Sequence, residues 1–221
     1  MSEAPDDDVA RLGDAFPAGD LIAQFVLVTR AQRDDLTETV TEVVRRIAKD
    51  DSKVHYYHRL LVSHYFEAMK WFADAAKDEA IRAWLDGFSD EEITSAIAAA
   101  LATTGPKGLV KTRLWAGRQT TFHYPRVEID GGLQETIEAL ADLPLELSVE
   151  GNEYGTYPRA LFVEEIFTHR LLAPFADDVD ATLKQIRDAA IAYVQLADAC
   201  LSRYMDERGL SFGPPVRNAE D

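Results

Sequence analysis

The chain holds one cysteine, Cys200, in 221 residues, so no internal disulfide can brace it. Its place within a helical pattern reads as a core or groove residue rather than a nucleophile. No run of about 18 apolar residues occurs, which leaves no candidate for a membrane-spanning helix. The opening residues lack the basic-then-apolar order of a secretory signal, and a cytoplasmic protein is the expectation. Basic residues are scarce: 23 Lys and Arg stand against 39 Asp and Glu, for a formal charge of −16. Such a surface repels nucleic acid and anionic membranes over most of its area. Walker-type loops, G-x-G-x-x-G after a strand, G-x-S-x-G and paired CxxC are missing as well. Those absences argue against nucleotide hydrolases, dinucleotide oxidoreductases, serine hydrolases and zinc folds.

What is present is a folding composition. Hydrophobic residues make up 47% and aromatics 10%, enough for a substantial core. The expected organisation is an acidic disordered tail over residues 1–16, one helical-bundle domain over 17–209, and a Pro-rich flexible tail over 210–221. The expected class is mainly α, an antiparallel bundle with room for one short β-hairpin near residues 145–163.

Helical spacing runs through most of that domain. Leu21, Phe25 and Val28, then Leu36, Val40, Val43 and Ile47, predict one long kinked helix or two consecutive ones, with a polar interruption at Gln32. Val54, Tyr57, Leu61, His64, Ala68 and Phe72 predict a second buried stripe, and a shorter helix follows around Ala80 to Leu85. Ser89 and Glu92 read as a capping box before the Ala-rich run ITSAIAAALA, which Thr104-Gly105-Pro106 breaks. That run is expected to be buried. Another helix is predicted from Leu109 through Val110, Leu114, Arg118 and Phe122, ending before Pro125. LELSV, GNEYG and YPRALFV read as a hairpin, although RALFVEEIF equally fits the start of a helix. Val179, Leu183, Ile186, Ala190, Tyr193, Ala197, Leu201 and Tyr204 trace one seam along a last helix.

One segment differs chemically from the rest. Between Glu92 and Glu128 there is no acidic residue, while Lys107, Lys111, Arg113, Arg118 and Arg126 all fall there, with His123. Charges of both signs are normally interspersed on a helical surface, so this stretch reads either as a solvated face paired with acidic neighbours or as an anion site. The sequence RQTTFHYP favours the second reading. A histidine at a helix C-terminus has its charged form stabilised and can pass protons in both directions. An arginine nearby can grip phosphate oxygens at two points and stabilise charge in a transition state. Positions five apart on a helix point about 140° apart, so convergence needs fraying before Pro125 or a symmetric dimer.

An arginine followed by four to six residues and a histidine, near a turn in a small helical bundle, resembles the higher eukaryote and prokaryote nucleotide-binding (HEPN) family. The likeness is strongest over Arg118 to Tyr124. It implies a metal-independent ribonuclease that attacks the phosphodiester through the RNA 2′-hydroxyl, needs no cofactor, and serves as a toxin or defence effector held by a protein partner. It also implies a homodimer that completes each site. Under it Arg118 and His123 are catalytic, Gln119 and Tyr124 support them, and Lys107, Lys111, Arg113 and Arg126 contact RNA. The family usually places Asn, Asp or His directly after the arginine, where this chain has Gln119, an amide one methylene longer than Asn. Arg59 and His64 share the spacing, but His64 falls on the expected core stripe of its helix and Leu60 follows Arg59.

Two other readings are carried. His55, His58, His64 and Glu67 present i, i+3 pairs that could chelate a metal in a bundle, although Glu164, Glu165 and His169 lack the spacing of the carboxylate partners a di-iron site needs. A non-catalytic helical module could instead bind a protein through the acidic surface. No membrane role is expected.

Overall fold

The computed structural model describes residues 12–49, 54–110, 114, 138, 147–152, 155–160 and 179–210. Among them lie six helices and one hairpin: α1 (Leu12–Ala15), α2 (Leu21–Ile47), α3 (Val54–Ala75), α4 (Glu79–Asp86), α5 (Glu91–Thr103), β1 (Leu147–Asn152), β2 (Gly155–Ala160) and α6 (Val179–Glu207). The mainly α class is as the periodicity predicts. The hairpin also forms, antiparallel, with Leu147 opposite Ala160 and Asn152 opposite Gly155.

The long helix α2 is continuous through Gln32. Asp20 starts it, its carboxylate accepting from the Ile22 and Ala23 amides at 2.9 and 3.1 Å, so two of the four N–H groups that a helix start leaves open are satisfied. The buried stripe is Phe25, Val26, Thr29, Leu36, Thr39 and Val43. This corrects the expected face, since Leu21, Val28 and Ile47 are 48%, 37% and 51% exposed. Two threonines take their place. Thr29 donates to the Phe25 carbonyl at 2.7 Å and Thr39 to that of Asp35 at 2.5 Å, so each hydroxyl enters the core already satisfied.

Both large neighbours run antiparallel to α2. On one flank Phe25 stacks on Trp71 at 5.5 Å, and Arg46 lies over the Tyr57 ring at 4.7 Å. Rising numbers on α2 therefore meet falling numbers on α3. On the other flank Arg33 grips Asp198 through Nε and Nη2 at 3.0 and 3.2 Å, while Asp20 meets Arg208. The interruption at Gln32 is a hydrogen bond across that seam, with the Tyr193 hydroxyl donating to Oε1 at 2.5 Å. Ile186, Ala190, Tyr193, Ala197, Leu201 and Tyr204 are buried along α6 as its spacing predicts. Each fully buried Leu or Phe in this core stabilises by about 1.5–3 kcal/mol.

The short helices clip onto this frame. Asp78 caps α4. Arg203 of α6 lies over Trp84 and Phe88 at 5.0 and 4.7 Å, and the Trp84 indole donates to Glu207 at 2.9 Å. A Cβ at Gly87 would stand 2.7 Å from an Arg203 nitrogen, so the glycine admits that guanidinium. At the end of α6, Gly209 takes φ +62 and the Leu210 amide returns to the Met205 carbonyl at 2.9 Å, closing the helix as a left-handed cap does.

Four further expectations are revised. Within the segment expected to be a loose tail, Leu12–Ala15 form helix α1, Phe16 stacks on Tyr204 at 5.1 Å, and the Tyr204 hydroxyl donates to the Ala15 carbonyl at 3.1 Å. Leu210, expected to open the other tail, packs on the core. Asp90 rather than Ser89 caps α5, because its carboxylate sits one residue nearer the open amides of Glu92 and Ile93. The Ala-rich run is buried along one face only, through Ile97 and Ala100, while Ala98 and Ala99 are exposed. Helix α5 does end where Thr104-Gly105-Pro106 begins.

Candidate functional site

The acid-free stretch begins inside the described bundle. Its first cation, Lys107, stands exposed in the turn after α5. Gly108 is needed there, since a Cβ would fall 2.1 Å from the Thr103 carbonyl. Val110 and Leu114 then return to the core at 4% and 0% exposure. The stretch is thus rooted by apolar residues while its first charge faces solvent. Lys111, Arg113, Arg118, Gln119, His123, Tyr124 and Arg126 lie outside the described residues, as do Glu164, Glu165 and His169.

The histidines of α3 are only partly described. The His55 side chain lies outside the described set, and His58 is half-buried. His64 corrects the expectation of a core position: it sits at the edge of the buried stripe, 31% exposed, with Nδ1 3.7 Å from the Asp35 carboxylate of α2. The stripe itself passes through Leu61, Tyr65, Ala68 and Phe72. His64 and Glu67 do share a surface, a cleft of about 230 Å³ between α2 and α3 lined with Gln32, Asp35, Ser63 and Ala68. His58 is not part of that lining. Among the described residues no group of three or more His, Cys, Asp or Glu could hold a metal ion.

Sequence reasoning missed Asp35 and Ser63. Neither belongs to a motif, and Asp35 enters only because the antiparallel return of α3 sets it opposite His64. Ser63 is 1% exposed and its hydroxyl has no hydrogen-bond partner, which is unusual for a buried polar atom. The signal that could have pointed to it is a serine next to a histidine on an otherwise apolar helix face.

Three ionisable groups among the described residues are shifted by burial and by their packing partners. Burial pushes the Cys200 thiol up to about 12, against a small opposing pull from Arg203, so it stays neutral and unreactive near pH 7. Tyr193 is held well above the ordinary phenol range, first by burial and then by Cys200. For Asp20, burial pushes the carboxyl up, but the Ala23 and Ile22 amides together with Arg208 outweigh it and the net shift is downward. No helix among the described residues is long and apolar enough to cross a membrane. No protein-family model, curated protein or solved structure matches the chain.

Proposed function

We propose that the chain is a HEPN-like, metal-independent ribonuclease or RNA-targeting effector of the toxin or defence type. The observation that carries this reading is an Arg118-x4-His123 pair inside a stretch without a single acid, in a chain whose formal charge is −16. That stretch leaves an antiparallel helical bundle with Val110 and Leu114 in the core and Lys107 in solvent. A local positive field in an otherwise repellent molecule is what a phosphodiester needs in order to bind there at all.

In this reading His123 takes the proton from the 2′-hydroxyl or returns one to the leaving 5′-oxygen. The 2′-oxygen forms its bond to phosphorus as the 5′-oxygen departs. Arg118 holds the phosphoryl oxygens and stabilises the charge that gathers on them. Gln119 and Tyr124 add hydrogen bonds, and Lys107, Lys111, Arg113 and Arg126 hold the RNA backbone. A homodimer brings the Arg and His of two chains together, and a protein partner restrains the activity.

The test is RNA cleavage by the purified chain in EDTA. Wild type should cleave, and His123→Ala should lose at least a hundredfold in rate, within the range general acid–base catalysis contributes, with the helical circular dichroism signal unchanged. Equal cleavage by both proteins would refute the assignment. No cleavage by wild type, combined with a salt-sensitive protein complex, would identify a non-catalytic interaction module acting through the acidic surface.

A further inference from the structure

A separate cavity of about 220 Å³ lies among α3, α5 and α6, and the proposed cleavage does not use it. It exceeds the roughly 150 Å³ at which an engineered cavity takes up benzene. Tyr65, Met69 and Tyr193 form its buried floor, while Ala99 and Gln185 stand at the solvent edge. Ala96 and Ala99 on α5 line it together with Ala189 and Ala192 on α6. Alanines on two neighbouring helices allow the backbones to close together. Here the space stays open instead, and voids of this size are few in a packed interior.

The lining selects the chemistry of an occupant. None of the described residues that line the cavity is charged, so an ion entering it would lose water without gaining a counter-charge. Two phenol rings and the Met69 thioether favour an aromatic face over an aliphatic one. The Tyr193 hydroxyl is spent on Gln32, which leaves that residue its ring alone. Thr103 donates its one hydrogen to the Ala99 carbonyl at 2.8 Å and meets the Tyr65 hydroxyl. Its oxygen has two lone pairs, of which Tyr65 can occupy only one. What remains is an acceptor, and an acceptor calls for a donor on the ligand. The Gln185 carboxamide oxygen offers a second acceptor at the edge.

We propose that the cavity among α3, α5 and α6 binds a small uncharged aromatic molecule bearing one N–H or O–H donor, its ring against Tyr65 and Met69 and its donor on the Thr103 oxygen. The proposal is independent of the nuclease reading and would stand or fall without it.

The experiment is calorimetric titration of the full chain with indole, using indene as the isostere that lacks the N–H. Saturable one-site binding of indole is expected, with indene about threefold to tenfold weaker, the worth of one neutral hydrogen bond. Ala99→Leu, which pushes a side chain into the mouth, should weaken both ligands about tenfold or more. Thr103→Val should cost indole about threefold to tenfold and leave indene unchanged. Ala98→Leu, an exposed neighbour on α5 outside the lining, should leave both unchanged. Non-saturable heats, equal affinity for indole and indene, equal losses in Ala99→Leu and Ala98→Leu, or full indole affinity in Thr103→Val would each overturn the proposal. Melting curves establish that the variants fold, and if Ala99→Leu does not, the indole and indene titrations of Thr103→Val decide.

Discussion

The two flanks of α2 use the same helix for different ends. Toward α6 the polar side chains in the seam have partners: Gln32 with Tyr193, Arg30 and Arg33 with Asp198, Asp20 with Tyr204 and Arg208. Toward α3 the ends are closed by aromatic and cation–π contacts, while the middle opens into a cleft with a buried unmatched hydroxyl and a histidine facing a carboxylate. A satisfied polar network fixes register and rigidity, whereas an unsatisfied buried group costs stability. The first flank is therefore organised for stability. The second keeps one buried hydroxyl, that of Ser63, without a partner in the protein.

Breaking the packed flank should have the largest effect. Phe25 is 1% exposed and meets Trp71, Phe72 and Trp84, so Phe25→Ala should lower unfolding stability by roughly 3–5 kcal/mol in urea titration. Next comes the polar bridge. Tyr193→Phe strands Gln32 and should cost about 1–3 kcal/mol, whereas Gln32→Leu combined with Tyr193→Phe should cost less than the two single changes added together, because neither partner is then left alone.

Asp20 gives a smaller, pH-dependent effect. Its folded pKa lies below the ordinary 3.8, so the folded state favours the ionised form. The resulting stability is present above the unfolded pKa and lost as pH falls through the folded one. Asp20→Ala should cost about 1 kcal/mol at neutral pH through the lost cap, read from thermal melts. Asp20→Asn should keep most of that cap while flattening the acid limb of the stability curve. The smallest effect belongs to the cleft: Ser63→Ala should stay within about 0.5 kcal/mol of wild type or exceed it, since it removes an unmatched hydroxyl. A large loss there would erase the distinction between the flanks.

Periodicity made the frame legible because seams of apolar residues at alternating spacings of three and four leave few other ways to bury themselves. It located α6 well: Ile186 through Tyr204 are buried as the spacing requires. It misjudged α2 because counting apolar residues cannot see that Thr29 and Thr39 enter the core with hydroxyls bonded to their own backbone. It misplaced His64 for the converse reason, since a half-exposed edge position on a helix looks like a core position until the facing residue, Asp35, is known. Asp35 itself was out of reach, being set by the antiparallel return of α3. The candidate nuclease site was legible as composition and spacing alone, in the absence of acids from residues 93 to 127 and in Arg118 with His123. Of that stretch, the structure adds the anchoring of its opening by Val110 and Leu114.

The chemical ends of cleaved RNA test the central claim most directly. Attack by the 2′-hydroxyl without a metal predicts fragments ending in a 2′,3′-cyclic phosphate and a 5′-hydroxyl, formed in EDTA by wild type and by neither Arg118→Ala nor His123→Ala. Fragments bearing 3′-hydroxyl and 5′-phosphate ends, or intact RNA with well-folded wild-type protein, would contradict the account.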